Sequence, residues 1–81
     1  MSTYGLFLLD HFDLAKRPDR TERALRVFFP KSATDYLAKL QHGDEVLVRE
    51  GTREALDAMT ANLSAQGFRT RVRALEAAGN G

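Results

Sequence analysis

Arg69, Arg71 and Arg73 alternate with Thr70 and Val72 near the end of the chain. On a β-strand, side chains two apart share a face and lie roughly 6–7 Å apart, close to phosphate spacing on a nucleic-acid backbone. Such a ladder can hold a single-stranded nucleic acid or an acidic protein. It can equally be a solvated edge strand whose arginine stems cover apolar surface. A second cluster is Asp10-His11-Phe12-Asp13. Two carboxylates pair readily with an ammonium group, and a histidine beside them tunes such a pocket. The competing reading is a polar strand end, with the Asp side chains taking turn amides. His42, next to Gly43, has the chemistry of a ligand or an acid–base group. At a helix C-terminus it would instead answer the helix dipole.

Nothing else in the chain points to catalysis. Ser32 and Thr52 read as helix N-caps, and Ser2 and Ser64 have no histidine nearby in sequence. The glycines form neither a GxGxxG nor a P-loop pattern. Two histidines without HxH or HxxxH spacing make a poor metal site, and no metal or cofactor is expected. With no cysteine, thiolate ligation and disulfides are excluded, which fits a reducing compartment. The N-terminal residues Met1–Tyr4 lack the charged and apolar regions of a signal peptide, and no segment approaches the ~20 apolar residues of a membrane span. The expectation is a cytoplasmic protein that is not an enzyme.

The elements that must position these residues follow from the apolar pattern. Tyr4–Leu9 is a continuous apolar run, the signature of a central strand. Leu14–Pro18 reads as a loop, with Pro18 barring a helix. Asp19 and Glu22 have capping-box spacing and open a helix carrying Ala24, Leu25, Phe28 and Phe29, which Pro30 stops. Ser32 starts a second helix carrying Ala33, Tyr36, Leu37 and Leu40, ended by Gly43. Glu45–Arg49 is a β-branched run. Thr52 caps a helix with Leu56, Met59 and Leu63 on one face, and Gly67 ends it from the left-handed region. Phe68–Leu75 alternates apolar and basic residues as a half-buried strand does.

At 81 residues the chain reads as one domain, spanning residues 1–76, with a flexible tail at 77–81. A hydrophobic content of 43% with 28% charged residues fits a globular fold rather than disorder. A net charge of +1 conceals two basic groups. The first, Lys16 to Lys31, is diluted by acidic residues. No acidic residue interrupts Phe68–Leu75, so the second is undiluted in sequence.

The expected architecture is therefore a two-layer α+β sandwich of order β-α-α-β-α-β, with a three-stranded sheet and all helices on one face. If the first strand is central, the arginine strand lies at an edge, where charge discourages aggregation. The uncovered face should carry the arginines, Leu47, and either Phe7 and Leu9 or Leu6 and Leu8. An apolar patch of this kind suits a homodimer, with arginines pairing to Asp10, Asp13 or Glu45 of the other copy.

This order of elements resembles the fold shared by the C-terminal domain of the bacterial ribosomal stalk protein and the ClpS type of protease adaptor. Arg49–Ala55 through Gly67–Val72 is similar to the stalk domain's last helix and strand. Tyr4–Asp13 is similar to the adaptor's first strand and acidic turn. The stalk resemblance weakens at Phe29–Thr34, which lacks the glycines of that family's factor-binding junction. The adaptor resemblance implies recognition of a free α-amino group, with Asp10, Asp13 and His42 at matching places. The family's Asn and Thr-Pro are absent, and Lys16 and Arg17 intervene. The resulting expectation is a small non-catalytic, adaptor-like protein-interaction domain using Asp10, His11, Asp13, His42, Leu47, Arg69, Arg71 and Arg73. The alternative is a nucleic-acid-binding domain using the arginine face.

Overall fold

In the computed structural model, which describes residues 3–75, the apolar run near the N-terminus forms β1 (Tyr4–His11), the middle strand of an antiparallel sheet. Its neighbours are β2 (Val46–Gly51) and β3 (Phe68–Ala74), giving the order β2-β1-β3. Three helices complete the fold: α1 (Pro18–Phe28), α2 (Ala33–Gln41) and α3 (Arg53–Ala65). The tail expected at 77–81 lies outside the described residues.

Alternation along β1 decides which side chains face the helices. Leu6 and Leu8 are fully buried and join Leu25, Leu40, Leu56 and Leu63 of the helices with Val46 and Phe68 of the outer strands. Each such side chain contributes roughly 1.5–3 kcal/mol by leaving water. The opposite set, Phe7 and Leu9, is half-buried and turns to the open face. Phe28, Tyr36, Leu37 and Met59 border the core rather than fill it.

Two bulges interrupt the ladder. Leu6 pairs with Arg49 and Phe7 with Leu47, so Val48 is the extra residue on β2. Leu8 pairs with Thr70 and Asp10 with Arg69, so Leu9 is the extra residue on β1. An extra residue reverses the in–out phase beyond it. His11 would otherwise share the open face with Phe7. It turns inward instead, opposite Phe68, and is buried.

One helix boundary departs from the sequence reading. α1 starts at Pro18, not after it, with Arg17 at the N-cap. Proline is accommodated at the first helical position because its missing N–H has no partner there anyway. Asp19 therefore lies in the first turn as a dipole-favoured carboxylate rather than as a cap. Glu22 turns sideways, accepting hydrogen bonds from Arg26 at 3.0 Å and from Thr34 at 3.2 Å, which ties α1 to α2. These contacts, Arg26 first and then Thr34, hold its carboxyl below the ordinary value. Ser32 occupies the N-cap of α2 without a side-chain cap bond. Thr52 does cap α3, accepting from the Ala55 amide at 3.3 Å, and Gly67 follows that helix at φ +93°.

Candidate partner-binding surfaces

His11 is the best-connected side chain of the acidic turn. Its Nε2 lies 2.8 Å from the Gln66 carbonyl, which can only accept, so Nε2 carries the proton. Nδ1 then accepts from the Thr21 hydroxyl at 2.8 Å and from the Asp13 amide at 3.2 Å. The ring also packs against Phe68, centroid to centroid 4.4 Å. His11 thus bolts the end of β1 to α1 and to the end of α3. Both ring nitrogens have partners within the chain.

That bolt presents Phe12. Its amide donates to the Gly67 carbonyl at 3.1 Å, and its ring lies against Gly67, where a Cβ would run into Cδ1 and Cε1. The ring is nonetheless 77% exposed. Clefts of about 410 and 330 Å³ flank it, both bordered by Asp10, His11 and Phe12. Arg69 and Thr70 belong to the larger, Leu14 and Gln41 to the smaller. Asp10 is exposed and accepts the His11 amide through Oδ1 at 2.8 Å, in keeping with a turn role.

The remaining residues of the expected amine site lie apart from these clefts. Asp13 lines neither. The ring of His42 turns back on its own helix, with Nδ1 3.1 Å from the Ala38 carbonyl. It serves the C-terminus of α2, where Gly43 follows at φ +85°. Phe12 was the residue that sequence reasoning passed over. An aromatic in a polar turn was its one signal.

The open sheet face is the second surface. Gly5 pairs with Glu50 on one side and Arg73 on the other, and Phe7 pairs with Leu47 and Arg71. Leu47 and Leu75 close over Gly5, whose missing Cβ leaves them room. The arginine ladder is not free throughout, contrary to its undiluted appearance in sequence. Arg73 reaches across the sheet, its guanidinium 4.2 Å from the Phe7 centroid and 3.1 Å from Glu45 Oε1. Arg69 and Arg71 are exposed and form no ion pair among the described residues.

Among the described residues, no cluster of three or more His, Asp or Glu could hold a metal, and no helix is long and apolar enough to cross a membrane. No protein-family model, curated protein or solved structure matches the chain.

Proposed function

We propose that this chain is a small, non-catalytic protein-interaction domain of adaptor type, and that its contact with a partner is the Phe12 ledge beside Asp10. The observation that carries this reading is an aromatic residue whose backbone bonds Gly67 and whose ring lies against it, yet which is 77% exposed. Rigid, exposed aromatics lose little entropy on binding and serve as anchors at interfaces. The clefts on either side give a partner side chain somewhere to go, and Asp10 supplies a carboxylate for a cation. The partner chemistry is therefore a peptide segment pairing an apolar side chain with an amine or guanidinium. The adaptor-like order of elements, with the first strand central and its acidic turn at one end, supports the same reading.

An array of peptides with free and acetylated N-termini tests it. Binding is expected to favour basic or free-amine segments, to weaken on Asp10→Asn, and to be lost on Phe12→Ser. If acetylation and Asp10→Asn make no difference, Asp10 is not an amine ligand. If Phe12→Ser binds every peptide as the wild type does, the ledge is not the contact.

A further inference from the structure

The open sheet face has a charge polarity that selects one way of covering it. Glu50, and Glu45 just before the strand, lie on the β2 side. Arg69, Arg71 and Arg73 lie on the β3 side. Between them run Phe7 and Leu9, with Leu47 and Leu75 meeting over Gly5. The face is acidic along one edge and basic along the other, with an apolar middle over which Arg73 reaches to Glu45.

Two sheets can meet face to face about a two-fold axis in either of two principal directions. An axis running across the strands lays β3 on β3 and β2 on β2, which sets arginine against arginine. An axis parallel to β1 lays the β3 of one copy over the β2 of the other, and does so twice. We propose that this face is covered in solution by a second copy of the chain, related by a two-fold axis parallel to β1. Arg73 and Glu50 both pair with Gly5, so this axis sets Arg73 of each copy level with Glu50 of the other, while Phe7 stands near the axis opposite its own mate. In the free chain Arg73 lies over the Phe7 ring and bonds Glu45, so its guanidinium swings to Glu50 of the other copy as the apolar middles meet.

Area sets the strength. Three strands spaced about 4.8 Å apart and some seven residues long offer roughly 300 Å² of sheet face before side chains are counted. Two copies together bury about 600 Å² on that measure, below the roughly 1,000 Å² of a stable specific interface, so the dimer is weak and reversible, with a dissociation constant in the micromolar range or above. This surface adjoins the Phe12 ledge at Arg69, which borders the larger cleft, but Phe12 itself lies past the end of β1, so substitutions at Arg73, Glu50 and Phe12 act on one surface each.

Sedimentation equilibrium of the full chain from low micromolar to millimolar concentration is the test. Wild type is expected to reach a dimer. Arg73→Glu sets acid against acid, and Glu50→Arg sets base against base, so each variant alone should associate at least tenfold more weakly. Mixing the two variants should restore dimerisation, because in the mixed pair both edge contacts become complementary again. Phe12→Ser should leave association unchanged. A wild type monomeric at millimolar concentration overturns the proposal. So do single variants that dimerise like wild type, or a mixture that stays monomeric. Both charge changes are at exposed positions, and restoration by mixing shows that each variant is folded.

Discussion

The Thr21 hydroxyl lies 2.8 Å from His11 Nδ1, with both side chains out of water, and this contact joins the first turns of α1 to the end of β1. Thr21 is the only fully buried polar side chain among the described residues. Thr21→Val keeps the shape and removes the donor, leaving His11 Nδ1 with the longer Asp13 amide alone. The expected loss is about 1–2 kcal/mol, or roughly 4–15 °C in melting temperature for a domain of this size. Thr21→Ser keeps the donor and should lose less. Equal losses for the two variants in thermal melts would show that packing of the methyl, not the hydrogen bond, matters at this position.

Gly67 and Gly43 both follow helices with positive φ, at +93° and +85°, but only Gly67 has a neighbour. A Cβ at Gly43 meets nothing within 4 Å, whereas one at Gly67 runs into the Phe12 ring. Gly43→Ala should therefore cost about 1–2 kcal/mol of backbone strain alone. Gly67→Ala should cost that plus the displacement of Phe12, and Phe12→Ala should relieve part of the excess. Denaturant melts of the four proteins form a double-mutant cycle. A coupling energy near zero would show that the ring moves aside without cost, and that the ledge is not rigid.

Much of this fold was legible in the sequence because its signals are local. Thr52 and Gly67 bracket α3 as a cap and a left-handed stop, and the unbroken apolar run of β1 placed that strand in the middle. The acidic turn was not legible, and the reason is the bulge at Leu9. Counting by twos from Leu6 sends His11 to the open face, and only the extra residue opposite β3 brings it inside. The arginine ladder misled for a related reason. Glu45 precedes the strand to which it belongs and lies far in sequence from Arg73. Their pairing depends on sheet order, which a count of nearby charges does not contain.

Thr60, inside α3, has a buried hydroxyl oxygen with no hydrogen-bond partner. Burying an unsatisfied hydroxyl costs free energy, and valine has the same shape without it. Thr60→Val is expected to raise stability by about 1 kcal/mol, read as a higher denaturant midpoint with an unchanged slope. A lower midpoint would mean that the hydroxyl is satisfied in solution.

Glu22 accounts for a defined part of the acid sensitivity. Its carboxyl is held below the ordinary value of 4.5 by hydrogen bonds from Arg26 and Thr34. A depressed carboxylate stabilises the fold fully above its unfolded value, and that contribution fades as pH falls through the lower folded value. The gap in melting temperature between wild type and Glu22→Gln should therefore be widest near neutral pH and close in acid. Salt should narrow it, since the Arg26 partner is exposed. A gap that persists unchanged into strong acid would assign the effect of Glu22 to something other than its charge.

The bond between Arg73 and Glu45 bears on the alternative of nucleic-acid binding. A single strand meeting the open face would be held by Arg69 and Arg71, because Arg73 is already committed to Glu45 and Phe7. Each phosphate contact to a single strand contributes roughly −0.7 to the slope of log affinity against log salt, so two contacts give about −1.4. Glu45→Gln removes the competing carboxylate and frees Arg73, which should strengthen binding at low salt and steepen the slope to about −2.1. Fluorescence anisotropy with a labelled single-stranded oligonucleotide, at protein concentrations too low for self-association, reads both quantities. Binding should be weak, as a net charge of +1 implies little non-specific attraction. A slope that Glu45→Gln does not change would show that Arg73 has no part in holding phosphate. Absence of any binding at low salt, in both proteins, would eliminate the nucleic-acid reading and leave the basic edge to the acidic edge of a second copy.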